Sequence, residues 1–251
     1  MTRVIPFVCS LTFTIAVLLV IGQFGVIQAR TPAYDAMRFL SDCPVDVHGE
    51  LQILASGDET LRKQARLSLD RYAMKSVACR KAIIGSLMAA MDKPELDLNR
   101  DESTYNIWRE GADLIARLGA TEALDLLIAH LDLTHGVSTS FSMNYQPAIR
   151  GVLGIGRSAI PKLSFALRHN SNPQIRLAVV FCLSGIGGRT AAQAMRQAIP
   201  AESNNCVAAF LRLAMELHNL QTKSARKQLT PAEKNTLEYA EIGRMSALAC
   251  R

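Results

Sequence analysis

Asn172-Pro173-Gln174-Ile175-Arg176-Leu177-Ala178-Val179-Val180-Phe181-Cys182-Leu183-Ser184-Gly185-Ile186-Gly187 decides the fold class. Ile175, Ala178, Val179, Cys182, Leu183 and Ile186 recur at helical spacing, which draws one apolar stripe along one α-helix. Asn172 suits the N-cap, Pro173 the first helical position, and Gly187-Gly188 a C-terminal stop with a left-handed residue. A second amphipathic segment, 190–199, follows at once.

The same unit recurs upstream. Residues 112–127 and 152–163 each hold an apolar helix that ends in glycine, then an alanine, then a large apolar residue. Gly119, Gly156 and Gly187 lie 37 and 31 residues apart, and the longer interval contains an insertion, 132–144. Weaker copies flank these. Leu61, Ala65, Leu69 and Tyr72 form a stripe after Asp58, a predicted N-cap, and Ile83, Ile84, Leu87, Met88 and Met91 form its partner. Cys206 to Leu217 opens a further helix, and Thr230-Pro231-Ala232-Glu233 is a capping box for a last one. No run alternates with period 2. The expected fold is therefore all-α, a right-handed α-solenoid of stacked antiparallel helix pairs with no sheet, because one helix pair cannot cover its own apolar face.

The 251 residues are 49% hydrophobic, 6% aromatic and 20% charged, the balance of a globular chain rather than a disordered one. The 15 Gly and 6 Cys exclude collagen and disulfide-dense miniproteins. Residues 1–29 differ from the rest: Arg3, then an apolar run over 4–22, then Ala29. They read as a secretory signal, or as an uncleaved membrane anchor, since the run can span a bilayer of about 30 Å. Without them the net charge falls from +6 to +5 through loss of Arg3. The expected divisions are 1–29 as signal or anchor, 30–103 as divergent helical pairs, 104–220 as regular repeats, and 221–251 as linker and capping helix.

Asn172-Pro173-Gln174-Ile175-Arg176 leading to Ser184-Gly185-Ile186-Gly187, with Gly119 and Gly156 in register, resembles the HEAT-repeat family in its short, phycobilisome-lyase-type form, an armadillo-like solenoid. The likeness covers 104–220 well and 58–91 loosely. It implies an elongated α-superhelix that holds other proteins. Some relatives handle bilin chromophores and others carry iron, and each chemistry needs its own residues. The iron-binding branch repeats His-Glu dipeptides, and this sequence has none.

Other motifs have plain readings. His130, Asp132 and His135 are metal-ligand types, but no fourth ligand sits at a supporting spacing, so they read as a helix-face and a loop histidine. Gly151-Val152-Leu153-Gly154-Ile155-Gly156-Arg157-Ser158 mimics a P-loop, yet a helix precedes it where a phosphate loop needs a strand. Glu110 and Asp113 can share a helix face and read as solvated charges. Arg62, Lys63, Arg66, Arg71, Lys75, Arg80 and Lys81 crowd one stretch against Asp70 and read as a solvated face, with anionic lipid or an acidic protein as the functional alternative. No catalytic, cofactor or metal site is predicted.

In an exported chain disulfides form, and Cys43–Cys79 and Cys182–Cys206 are the sequence-local pairings. A buried free thiol at Cys182 is the alternative, since it lies on the apolar stripe well inside its helix, away from the start of the helix that holds Cys206. Cys250 is the expected free thiol. The functional expectation is a non-catalytic scaffold for a protein or peptide partner, not nucleic acid, on the exported side of a membrane, with Phe141, Met143, Tyr145 and Trp108 as candidate partner-binding residues and membrane contact through residues 4–22. A chromophore-handling lyase-like protein and a membrane-tethered assembly factor are the alternatives.

Overall fold

A computed structural model describes residues 43–92, 97–99, 101–136, 146–225 and 230, and the regular structure among these described residues is helical, without a strand. The helices are α1 (Val47–Ala55), α2 (Glu59–Lys75), α3 (Val77–Met91), α4 (Glu102–Arg117), α5 (Leu124–Ala129), α6 (Pro147–Ile155), α7 (Ile160–His169), α8 (Pro173–Ile186), α9 (Gly188–Ala198) and α10 (Asn205–Ala225). Residues 221–225, expected to begin a linker, continue α10. The signal or anchor segment, the capping-box helix and Cys250 lie outside the described residues. Among those described, no helix is long and apolar enough to cross a membrane.

Short polar side chains start α1 to α4, α8 and α10 by taking up backbone N–H groups that no helical carbonyl can reach. Asp58 accepts from the amides of Thr60 and Leu61 at 2.8 and 3.0 Å, and Asn172 accepts from Gln174 at 2.9 Å. Ser76 ends α2 and caps α3 through the Cys79 amide. Gly119, Gly156 and Gly187 all have positive φ, at 58, 71 and 67°, where a side chain would be strained. Gly151 lies inside α6, so the P-loop-like run is a helix and its stop.

The helices pack in two interleaved series. α4 contacts α6, α6 contacts α8, and α8 contacts α10, while α5 contacts α7 and α7 contacts α9. Small residues permit the close approach. A Cβ on Gly154 of α6 would collide with the Ala116 methyl of α4, and one on Gly185 of α8 would lie 2.7 Å from Leu153 Cδ2 of α6. Helix α8 is thereby covered on two sides: besides the predicted stripe, Leu177 and Val180 are buried. Helix α4 divides two cores. Leu114 joins the one built by α1–α3, and Trp108 and Ile115 join the one that continues through α10.

Cys43 and Cys79 are joined, with Cα atoms 4.8 Å apart, tying the segment before α1 to α3 across 36 residues. Such a closure restricts the unfolded chain, so reduction is expected to lower stability by about 2–4 kcal/mol. The check is the denaturant midpoint of a Cys43→Ser, Cys79→Ser double variant against that of the native chain, since thiol would also reduce the bond at Cys206. An unchanged midpoint would mean that the bridge does not constrain unfolding. Cys182–Cys206 does not form. Cys182 is a free, fully buried thiol inside α8, and burial pushes its pKa far up. Cys206, near the start of α10, is bonded elsewhere.

Candidate functional site

On α2 the apolar stripe runs through Ala65, Leu69 and Ala73, and Arg62 falls on the same line. Leu61, expected on the stripe, is 45% exposed, and Tyr72 is half-buried. A guanidinium on a buried stripe must find charge and hydrogen bonds or destabilise the fold. Arg62 finds both: Nη1 donates to the Ser56 carbonyl at 2.6 Å, and Nε lies 3.9 Å from Glu110 of α4. Arg62 and Glu110 are each only 5% exposed. The expectation that Glu110 is a solvated charge is thus corrected, because it sits between Ile107 and Leu114 on the buried line of α4.

Around Glu110 and Asp113 the guanidiniums converge. Arg66 Nη1 bridges the two carboxylates, at 2.9 Å to Glu110 and 2.8 Å to Asp113. Arg109 grips Glu110 through Nε and Nη2, at 3.2 and 2.8 Å. Arg150, reaching over from α6, holds Asp113 through Nη2 at 2.7 Å and through Nε. Burial pushes the Asp113 carboxyl above its ordinary value, against the opposing pull of Arg150 and Arg66. Arg117 pairs with Asp70, and Arg80 with Glu122. Part of the basic row on α2 and α3, expected to be a solvated face, is therefore spent on crosslinking to α4 and the turn after it.

Two adjoining clefts open over this network and share Arg66, Asp113 and Arg150. One, of 360 Å³, has Lys63, Tyr105 and Arg109 in its wall; the other, of 540 Å³, has Arg117, Leu153 and Gly154. Together five cations, Lys63, Arg66, Arg109, Arg117 and Arg150, meet three carboxylates, Glu59, Glu110 and Asp113. A separate cleft of 620 Å³ lies against α5 and α7, with Phe165 62% exposed and its ring 4.4 Å from His169.

The other sequence candidates scatter. Trp108 is fully buried and its Nε1 donates to the Met91 carbonyl at 3.1 Å, so it is a core residue and not part of a partner surface. Phe141, Met143 and Tyr145 lie outside the described residues. His130 meets the edge of Trp108, and burial holds its pKa below the ordinary 6.5. Asp132 accepts from Asn172, and His135 stacks on Tyr105 with ring centroids 3.7 Å apart. No group of three or more His, Cys, Asp or Glu able to hold a metal occurs among the described residues.

Arg176 and Glu202 form a second clamp, between α8 and the turn before α10. Arg176 donates through Nε and Nη2 to Glu202, both at 2.8 Å, and through Nη1 to the Asn170 carbonyl. Burial alone would raise the Glu202 carboxyl, but hydrogen bonds from Arg176 and the Asn204 amide outweigh it and hold it below the ordinary 4.5. A lowered folded-state pKa gives stability that is present above pH 4.5 and lost as pH falls through the folded value. The melting-temperature gap between the native chain and Glu202→Gln is expected to shrink on acidification below that pH. A gap constant from neutral pH into acid would contradict this role for Glu202.

Compared with known proteins, the chain matches no protein-family model and no curated sequence.

Proposed function

We propose that helices α1 to α10 form a HEAT- or armadillo-like right-handed α-solenoid of antiparallel helix pairs, and that the protein is a non-catalytic scaffold holding a protein or peptide partner on the exported side of a membrane. The observation that carries this reading is the pair of clefts spanning α2, α4 and α6, one helix from each of three successive units. A stack of repeats produces such a continuous surface because equivalent helices line up side by side. The interleaved helix contacts and the positive-φ glycines at 119, 156 and 187 support the same arrangement. The Cys43–Cys79 bridge suits an oxidising compartment.

Site-specific photo-crosslinking tests the face. A benzophenone amino acid replaces Glu59, exposed at the lip of the clefts, or Val77, 86% exposed away from them. Expression in the native host is expected to yield a discrete crosslinked polypeptide from position 59 and none from position 77. Crosslinks from 77 alone would place the partner on another face, and turnover of a small molecule without any crosslinked chain would replace a scaffold by an enzyme.

A further inference from the structure

We propose that the α2–α4–α6 clefts bind an acidic peptide segment in extended form, its carboxylates taking the guanidinium and ammonium donors that Glu110 and Asp113 leave unused. The inference rests on the scaffold reading and names the partner's chemistry.

Three observations carry it. The first is charge. The clefts hold two more cations than carboxylates, and counting Arg62 and Asp70 beside them leaves that surplus unchanged. The second is geometry. A guanidinium has five N–H donors in a planar fork. Arg109 and Arg150 each turn Nε and Nη2 toward their internal carboxylate; Arg109 also hydrogen-bonds Tyr105, while Arg150 Nη1 makes no hydrogen bond among the described residues. Lys63 is exposed at the lip and has no ion-pair partner among the described residues. The internal pairs also pre-set the side chains, which lowers the ordering cost of binding. The third is the floor. Ala116, Leu153 and Gly154 offer an apolar strip beside the charges.

These features favour a peptide over a phosphate polymer. Glu59, Glu110 and Asp113 interrupt the positive field at fixed points, which repels a continuous string of phosphates. Carboxylates set on alternate residues of an extended chain can straddle those points. Planar guanidiniums match carboxylates two bonds at a time, as Arg176 already does with Glu202 in this molecule.

The test is fluorescence anisotropy with the full chain and a labelled short peptide alternating Glu with Leu, against the same peptide with Gln for Glu, inorganic polyphosphate, and a single-stranded oligonucleotide. The Glu peptide is expected to bind at least about tenfold more tightly than the Gln peptide, and less tightly as salt rises. Arg150→Glu is expected to weaken it at least about tenfold, since one contact is lost and a repulsion added. Lys63→Glu, which breaks no internal pair, is expected to weaken it several-fold with the circular dichroism spectrum unchanged. Equal binding of the Glu and Gln peptides, no effect of Lys63→Glu, or tighter binding of polyphosphate or oligonucleotide would overturn the proposal. If the peptide fails while position 59 still crosslinks a polypeptide, the acidic partner is wrong and the scaffold stands.

Discussion

Glu110→Ala is expected to cost about 3–5 kcal/mol of stability, the range for removing one partner of a buried ion pair. Glu110 compensates three guanidiniums at once. Arg62 is as buried as Glu110, and its Nε has no hydrogen-bond partner, so the charge of Glu110 is what makes its burial tolerable. Arg66 and Arg109 keep more solvent, and Arg66 retains Asp113, so the loss concentrates at Arg62. Urea unfolding followed by far-ultraviolet circular dichroism measures it. The control is Glu122→Ala, whose partner Arg80 is about one third exposed; that pair is expected to contribute less than about 1 kcal/mol. Equal effects at the two positions would show that the α2–α4 network is no more than surface charge.

Trp108→Ala is expected to cost a comparable amount, about 3–5 kcal/mol, the usual range for truncating a buried aromatic residue to alanine. The loss has two parts, the void left in the core that also holds Ile115 and Leu127 and the unmet carbonyl of Met91. Trp108 is the one tryptophan of the chain, so its fluorescence reports on this site alone. Emission is expected to be blue-shifted, resistant to acrylamide, and unchanged when the cleft is occupied. Quenching by acrylamide in the native state would return Trp108 to the surface.

The parts of the fold legible in the sequence were those set by local rules. Asn172, Pro173 and Gly187 bound α8 as their chemistry requires, and Gly119 and Gly156 stop the helices before them. These signals act within one turn of helix and need no tertiary knowledge. The buried stripe on α2 differs from the one that hydropathy draws, with Leu61 exposed and Arg62 buried. In the fold Arg62 is admitted by a carboxylate some fifty residues on, on α4, which hydropathy along one helix cannot see. A signal was present nonetheless. Arg62 lies three residues before Ala65, and Glu110 lies between Ile107 and Leu114, so opposite charges occupy buried lines on helices that then meet. Trp108 misled for the opposite reason. An aromatic residue beside charges suggests a binding surface, but on α4 the charged and apolar faces are both covered, by α1–α3 on one side and by α5 and α6 on the other.

Only where each helix pair draws its core from the pairs beside it do α2, α4 and α6 stand in a row and share a groove. Native-state hydrogen exchange on Leu183→Ala reads this directly. Leu183 is fully buried in α8, and its truncation removes about 2–5 kcal/mol from that part of the fold. Stability in a repeat array is close to a sum over neighbours, and its parts open separately. Protection is predicted to fall in α7 to α10 and to persist in α1 to α3. An equal fall at every helix would contradict it, because the described residues would then unfold as one indivisible core.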